Sequence, residues 1–167
     1  MGAELGTVVA YRTNFVPTRE EESPFWERMI LRERESLNPL GKRLPPKIAH
    51  RAHPEVEVGQ GNHRITGIDL GERVDDGSIE ILHFPMRTYA QFENKIVKGG
   101  RAYLRNRELP KGKGRTWREL YDVWERGGLR DHYEENVAED SAVKDLIEDT
   151  RLRDFLRSLR AAAPAGD

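Results

Sequence analysis

The sequence predicts an α/β fold in which a short mixed β-sheet in the first half is followed by three to four helices. The first half contains short segments rich in β-branched and aromatic residues, separated by Pro, Gly and Asn. The second half carries apolar residues at helical spacing behind recognisable capping pairs. A chain of 167 residues can bury the core of one domain, and its lack of Cys excludes disulfides and Cys-based zinc sites. We expect one domain over residues 1–138 and a helical extension with a frayed tail over residues 139–167.

Four segments of the first half predict strands, and their sequences are TVVAYRTNFV, KIAH, VEVGQGNHRI and IEILHF. A helix is expected between the first two of them. Ser23 is a favourable N-cap and Pro24 suits the first helical position. Apolar residues then follow at roughly helical spacing, at Phe25, Met29 and Ile30. This helix is expected to end near Asn38.

The first helix of the second half is predicted from a capping box formed by Thr88 and Gln91. Its apolar face follows at Tyr89, Phe92 and Ile96. Gly99-Gly100 then permits a break or a bend, after which the helix is expected to resume through residues 102–104.

The next helix is predicted to begin at a second capping box, Thr116 and Glu119, and to stop at Gly127-Gly128. Its apolar positions follow the helical period, at Trp117, Leu120, Tyr121 and Trp124. Such a stripe is typical of a helix that packs on a core, and a stacking platform for an acceptor sugar is the functional alternative.

A third helical region is expected after Asp140-Ser141. Its apolar residues are Val143, Leu146, Ile147, Leu152, Phe155, Leu156 and Leu159. The final AAAPAGD is predicted to be a frayed tail.

Charge is divided along the chain although the net charge is only -1. Residues 95–118 contain nine basic residues and one acid, whereas residues 119–150 contain eleven acids and three basic residues. The basic segment suits an anion or nucleic acid, with Tyr103 and Trp117 as base-stacking rings, and two solvated faces are the plainer alternative. The net charge and the lack of a recognisable motif argue against nucleic-acid binding.

The segment Ile79–Lys95, IEILHFPMRTYAQFENK, joins an apolar strand end to the start of a capped helix. Open α/β sheets place ligands at the carboxyl ends of strands, and a helix N-terminus favours an anion. Arg87 is suited to grip a phosphate bidentately, and Lys95 adds a second positive charge. His83 can serve as a metal ligand or proton carrier. The structural alternative is that His83 caps a strand and Arg87 pairs with an acid.

Two longer segments, KIAHRAHPEVEVGQGNHRI and ILHFPMRTYAQFENKIVKGGRAY, resemble the C-terminal part of bacterial family 2-like glycosyltransferases. The resemblance covers residues 47–133 and keeps the order of a KIAHR strand, a GNH turn, an HFPMR motif and an amphipathic helix with Lys. It implies a GT-A fold. It also implies transfer of a sugar from a nucleoside diphosphate sugar to a carbohydrate or other hydroxyl acceptor, assisted by Mn²⁺ or Mg²⁺.

The resemblance also implies roles for individual residues. His83 corresponds to the histidine that commonly completes the metal coordination, and His63 is the second candidate ligand. Arg87 and Lys95 would neutralise the leaving diphosphate, and Asn62 is assigned to substrate binding.

The chain departs from this family because it contains no Asp-x-Asp motif, the element that usually binds the metal. We therefore expect the N-terminal nucleotide-binding half to be absent, and the chain alone to be an incomplete transferase. The alternative is a non-catalytic interaction fragment that pairs with a separately encoded nucleotide-binding chain. Asp75-Asp76 is interpreted as a turn former. The catalytic base remains open, with Asp69 and Glu57 as candidates that also fit solvated surface acids.

His50, His53 and His63 offer a different metal hypothesis, a three-imidazole zinc site. Residues three apart on a strand point to opposite faces, so the first two converge only if the chain bends at the following Pro. The sequence contains no basic leader followed by an apolar run and no stretch of about 18 apolar residues. We expect a cytoplasmic protein without a membrane span.

Overall fold

A computed structural model describes residues 4–19, 22–38, 41–110, 112–138 and 146–162. The chain forms two compact units. The first comprises Met1–Asn14 and Glu35–His83, and the second comprises Phe15–Arg34 and Phe84–Asp167. The expected boundary at residues 138 and 139 adjoins the segment 139–145, which lies outside the described residues.

The described elements confirm a mixed α/β fold with a short mixed sheet followed by helices. The strands are β1 (Leu5–Asn14), β2 (Leu31–Arg32), β3 (Lys47–His50), β4 (Glu57–Val58), β5 (Ile65–Thr66), β6 (Glu72–His83) and β7 (Ile147–Glu148). The helices are α1 (Phe25–Arg28), α2 (Tyr89–Arg105), α3 (Arg115–Glu125), α4 (Leu129–Asn136) and α5 (Arg151–Ala162). A short 3-10 helix spans Gln60–Asn62, between β4 and β5.

The first unit is built on a three-stranded sheet with the order β3-β1-β6. β3 runs antiparallel to β1, and β6 runs parallel to it. Val9 and Ala10 are both buried, at 0% and 3% exposure, so both faces of β1 are covered. This explains why β1 is an apolar run rather than an alternating pattern. Because β1 and β6 are parallel, their carboxyl ends meet, and Asn14 aligns with His83.

β6 is interrupted by an irregular stretch around Asp75-Asp76. The register steps from Val74 to Ile79 while β1 advances by only two residues. Gly77 has a φ of 76°, and Asp76 Oδ1 accepts a hydrogen bond from the backbone N of Ser78 at 2.9 Å. This hydrogen bond lowers the pKa of the Asp76 carboxyl. The geometry agrees with the interpretation of Asp76 as a turn former, whereas Asp75 accepts a hydrogen bond from the Tyr11 hydroxyl at 2.7 Å.

In the second unit, α2, α3 and α4 share a core of Phe92, Ile96, Tyr121, Leu129 and Tyr133. The predicted cap of α2 is present, since Gln91 N donates to Thr88 Oγ1 at 3.1 Å. Of the break or bend that Gly99-Gly100 was expected to permit, the break is absent, because α2 continues through both glycines. Trp117 lies against Gly99 and Tyr121 lies against Gly100, so the missing side chains let α3 approach closely.

α3 corrects a second prediction, the capping box of Thr116 and Glu119. The N-cap is Gly114, two residues before Thr116 and in the left-handed region with φ 68°, and the helix begins at Arg115. Glu119 instead accepts from Arg115 Nε at 2.6 Å, one helical turn away. The Tyr103 ring packs against Gly114, which explains why a residue without a side chain opens this helix. The predicted stop is present, since Gly127 has a φ of 78° after the last helical residue.

The long helix expected from Pro24 to Asn38 was also wrong. Only Phe25–Arg28 is helical, and its N-cap is Pro24 without a side-chain cap, rather than Ser23. β2 follows three residues after α1 and pairs antiparallel with β7. In this long-range pairing, the backbone N–H and C=O groups of β2 bond to β7 instead of to each other along a continued helix.

The third helical region is confirmed only in part. α5 contains the predicted apolar residues from Leu152 onward, whereas Ile147 belongs to β7. Val143 lies outside the described residues.

The carboxylate of buried Asp149 accepts hydrogen bonds from Arg32 Nε at 2.9 Å and from Arg151 Nη2 at 2.7 Å. The hydrogen bond from Arg151 is the main cause that lowers the pKa of this carboxyl.

None of the helices in the part of the chain that the structure describes has the length and apolar character required to cross a bilayer.

Candidate functional site

The carboxyl ends of β1 and β6 bring together two polar side chains, Asn14 and His83. Asn14 Nδ2 donates to Leu37 O at 3.1 Å, which orients the amide so that Oδ1 faces the imidazole. His83 Nδ1 lies 2.7 Å from that oxygen and donates to it. In the neutral imidazole the lone pair is therefore on Nε2, the form that a metal ligand or general base requires.

His63 follows the 3-10 helix beside β3, whereas His83 ends β6 on the other side of β1. His63 Nδ1 donates to Pro46 O at 2.7 Å. Its neighbour Asn62 is exposed and holds a left-handed backbone with φ 54°. The structure therefore places His83 at the end of one outer strand of the sheet and His63 beside the other.

The other candidate ligands and bases also make local contacts. His50 Nδ1 donates to Arg51 O at 3.0 Å, and His53 Nδ1 accepts from Glu55 N at 3.2 Å. Asp69 Oδ1 accepts a hydrogen bond from Gly71 N at 2.9 Å, and exposed Glu57 accepts a long hydrogen bond from the Thr66 hydroxyl at 3.4 Å. Across residues 4–19, 22–38, 41–110, 112–138 and 146–162, no three His, Asp or Glu side chains are grouped to hold a metal.

Arg87 precedes the N-cap of α2 and belongs to the second unit. Its backbone N donates to Gln91 Oε1 at 3.1 Å, and its carbonyl accepts from Arg28 Nη2. Its guanidinium lies over the Phe25 ring, 5.1 Å from the centroid. No carboxylate in the described ranges forms an ion pair with Arg87, so the predicted alternative of an acid partner is not what the structure shows there.

Lys95 lies two turns into α2, half-buried. Its Nζ donates a long hydrogen bond to Pro85 O at 3.4 Å and lies 5.7 Å from the centroid of the Trp117 ring. Burial lowers the pKa of Lys95, and repulsion from the charge of Arg87 lowers it further. Arg87 therefore precedes the N-cap of α2, Lys95 lies two turns into the helix, and the two cations repel each other.

This arrangement predicts that Lys95→Met will stabilise the fold. The lowered pKa means that the charged form costs stability below the folded-state pKa, and that this cost fades as pH rises through it. We expect the free energy of unfolding to rise by on the order of 1 kcal/mol at pH 7. The gain should shrink towards pH 10, and urea unfolding at several pH values will measure it.

The matched control is Lys98→Met, which removes an exposed lysine from the same helix. It should leave the unfolding free energy within about 0.5 kcal/mol of the parent chain. A loss of stability in Lys95→Met at pH 7 would show that the ammonium group is itself a structural anchor.

Several side chains of the basic segment 95–118 make contacts within the second unit. Tyr103 and Trp117 stack on each other with ring centroids 6.2 Å apart. Arg118 Nη2 donates to Tyr103 O at 2.8 Å, and the Arg101 guanidinium lies 5.7 Å from the Trp124 centroid. The aromatic stripe of α3 therefore packs on the core of the second unit, as its plainer interpretation predicted.

Two contributors were missed at the sequence level. Asn14 was visible as a polar residue that ends an apolar strand, but its alignment with His83 depends on a parallel pairing of strands distant in sequence. Arg28 holds the backbone of Arg87 and of Thr18, and no local signal marked it because α1 was expected to be long.

Searches against known protein families, curated proteins and solved structures found no match to this chain. Functional interpretation therefore depends on the residues and contacts described above.

Proposed function

We propose that this chain forms the diphosphate-binding and acceptor-side portion of a glycosyltransferase, which transfers a sugar from a nucleoside diphosphate sugar to a carbohydrate or other hydroxyl acceptor. The observation that carries the proposal is the pair Arg87 and Lys95. Arg87 lies just before the N-cap of α2, Lys95 lies two turns into the helix, and neither has a carboxylate partner among the described residues. The resemblance of the HFPMR and GNH segments to family 2-like enzymes supplies the class of reaction.

The chemistry of these two residues suits a leaving diphosphate. Negative charge grows on the diphosphate as its bond to the sugar breaks, and groups aimed at that charge lower the barrier. The Arg87 guanidinium offers a planar fork that matches two phosphate oxygens, and Lys95 offers a compact point charge. The N-terminal end of α2, which Arg87 precedes, is the positive end of the helix dipole and also attracts an anion. Partial burial of Lys95 strengthens its attraction for an anion.

Mn²⁺ or Mg²⁺ would supply further Lewis-acid stabilisation of the diphosphate in this proposal. His83 fits the role of a single ligand, since its Nδ1 proton is held by Asn14 and its neutral form carries a lone pair on Nε2. His63 is the second candidate ligand, and Asn62 the candidate contact to the substrate. No group of three His, Asp or Glu side chains among the described residues could hold the metal, and the proposal assigns the remaining donors to a separate nucleotide-binding chain.

Calorimetric titration with UDP, GDP and inorganic pyrophosphate, with and without Mn²⁺, tests the proposal. The Arg87→Lys variant should bind pyrophosphate and UDP about tenfold more weakly, because the bidentate fork is lost. Its affinity for uridine, which has no phosphate, should not change. The matched control is Arg105→Lys, an exposed arginine at the other end of α2, and it should bind as the parent chain does.

Absence of pyrophosphate binding by the parent chain, or equal losses for UDP and uridine in Arg87→Lys, would overturn the assignment of Arg87. A short DNA duplex titrated at two salt concentrations provides the comparison with the basic-segment alternative. Salt-dependent DNA binding without binding of any diphosphate would favour a nucleic-acid-binding module over a transferase.

A further inference from the structure

A second group of basic side chains lies in the first unit, around the start of β3. Ala10 of β1 pairs with Lys47 of β3 in antiparallel register, which places Arg12 opposite Pro45. Arg12 Nη2 donates to Pro45 O at 2.8 Å. Arg12 and Lys47 therefore extend from adjacent strands near the same end of the pair.

The turn after β4 packs beside these two groups. Lys47 Nζ donates to Gly61 O, and the His63 ring packs directly on Gly61, where a side chain would collide with it. His63 Nδ1 donates to the carbonyl of Pro46, the residue before Lys47. The ring is thus fixed on two sides, with Nδ1 on the Pro46 carbonyl and the Nε2 edge packed on Gly61.

Charge is unbalanced within this group. No carboxylate in the part of the chain that the structure describes forms an ion pair with Arg12 or Lys47, and Arg12 Nε is buried without a hydrogen-bond partner. Burial lowers the pKa of both groups, and the charge of Arg12 lowers that of Lys47 further. Two half-buried like charges cost free energy unless an anion accompanies them.

We propose that Arg12 and Lys47 form an anion-binding site for a phosphoryl group. A phosphate ester or free phosphate carries nearly two negative charges at neutral pH, which matches two fixed cations better than a carboxylate does. Arg and Lys are also the side chains that most often bind phosphate oxygens. The site goes beyond the proposed transferase function, because all of its residues belong to the first unit, whereas Arg87 and Lys95 belong to the second.

The test is a ¹H–¹⁵N NMR titration of the full chain with inorganic phosphate and, separately, with glucose 6-phosphate. Both ligands should shift the backbone amide signals of Lys47, Gly61 and His63. Lys47→Gln should weaken the affinity about tenfold, as expected for loss of one charged hydrogen-bond donor. Lys47→Arg should retain binding, which separates loss of charge from loss of fold. Stronger binding of glucose 6-phosphate would show that the site recognises a phosphorylated sugar rather than the free ion.

Two control variants test whether the loss of phosphate binding is specific to this site. Lys42→Gln removes an exposed lysine of the same unit and should bind phosphate as the parent chain does. Arg87→Lys should leave the shifts at Lys47 and Gly61 unchanged, so failure of this site and failure of the transferase proposal are distinguishable. Absence of these shifts, an unchanged affinity in Lys47→Gln, or an equal loss in Lys42→Gln would overturn the proposal.

Discussion

Phe15→Ala is expected to lower the free energy of unfolding by about 3–5 kcal/mol. Phe15 is 1% exposed, and its ring stacks on Phe84 with centroids 4.4 Å apart. Phe84 in turn meets the edge of Phe25, whose ring lies under the Arg87 guanidinium. Truncation would leave a cavity and remove one ring of a three-ring cluster, so both transfer and packing contributions would be lost. Urea unfolding followed by far-ultraviolet circular dichroism measures the change.

Phe155→Ala provides the matched control, because Phe155 is 58% exposed on α5. Its effect should stay within about 0.5 kcal/mol. Phe15→Leu keeps most of the buried volume, and it should fold with a loss below about 1.5 kcal/mol if the alanine variant is too unstable to study. Similar losses for Phe15→Ala and Phe155→Ala would contradict the assignment of Phe15 to the core.

Gly100→Ala is expected to destabilise the second unit by about 1–3 kcal/mol. Alanine is the better helix former by about 1 kcal/mol, so intrinsic propensity alone predicts the opposite sign. A Cβ at Gly100 would overlap the Cβ of Tyr121, which is attached directly to the backbone of α3 and cannot rotate away. The two helices would have to separate, and the contacts of buried Tyr121 would loosen. Urea unfolding again measures the difference.

Gly112→Ala is the control for this substitution. No atom lies within 4 Å of a Cβ built at Gly112, and its φ is not in the left-handed region. It should be neutral or stabilise by up to about 1 kcal/mol, through lower entropy of the unfolded chain. If Gly100→Ala were as stable as Gly112→Ala, close approach of α2 and α3 would not be the reason for the glycine.

Local signals predicted the elements whose determinants lie close together in sequence. The KIAH strand is β3, residue for residue, and the Thr88 cap opens α2 as its capping box indicated. The stripe of α3 packs on the core of the second unit. In each case the information is contained within about one helical turn or one strand, where side-chain periodicity and backbone capping act directly.

Predictions failed where a distant partner decided the outcome. Gly99-Gly100 was interpreted as permitting a break or a bend because the sequence does not show that α3 will lie against it. Pro24 and the apolar residues after it favoured a long helix, yet β2 forms because β7, more than one hundred residues later, pairs with it. Helix propensity differences of a few tenths of a kcal/mol per residue do not outweigh such pairing.

The candidate sites divide in the same way. The sequence by itself determined where Arg87 and Lys95 lie relative to α2, because both positions follow from the cap and the period of that helix. Only the tertiary structure decided that Asn14 orients His83, and that Arg12 and Lys47 meet around the start of β3. Those groups depend on strand register, which hydrogen bonds between distant segments establish and which no local pattern of side chains encodes.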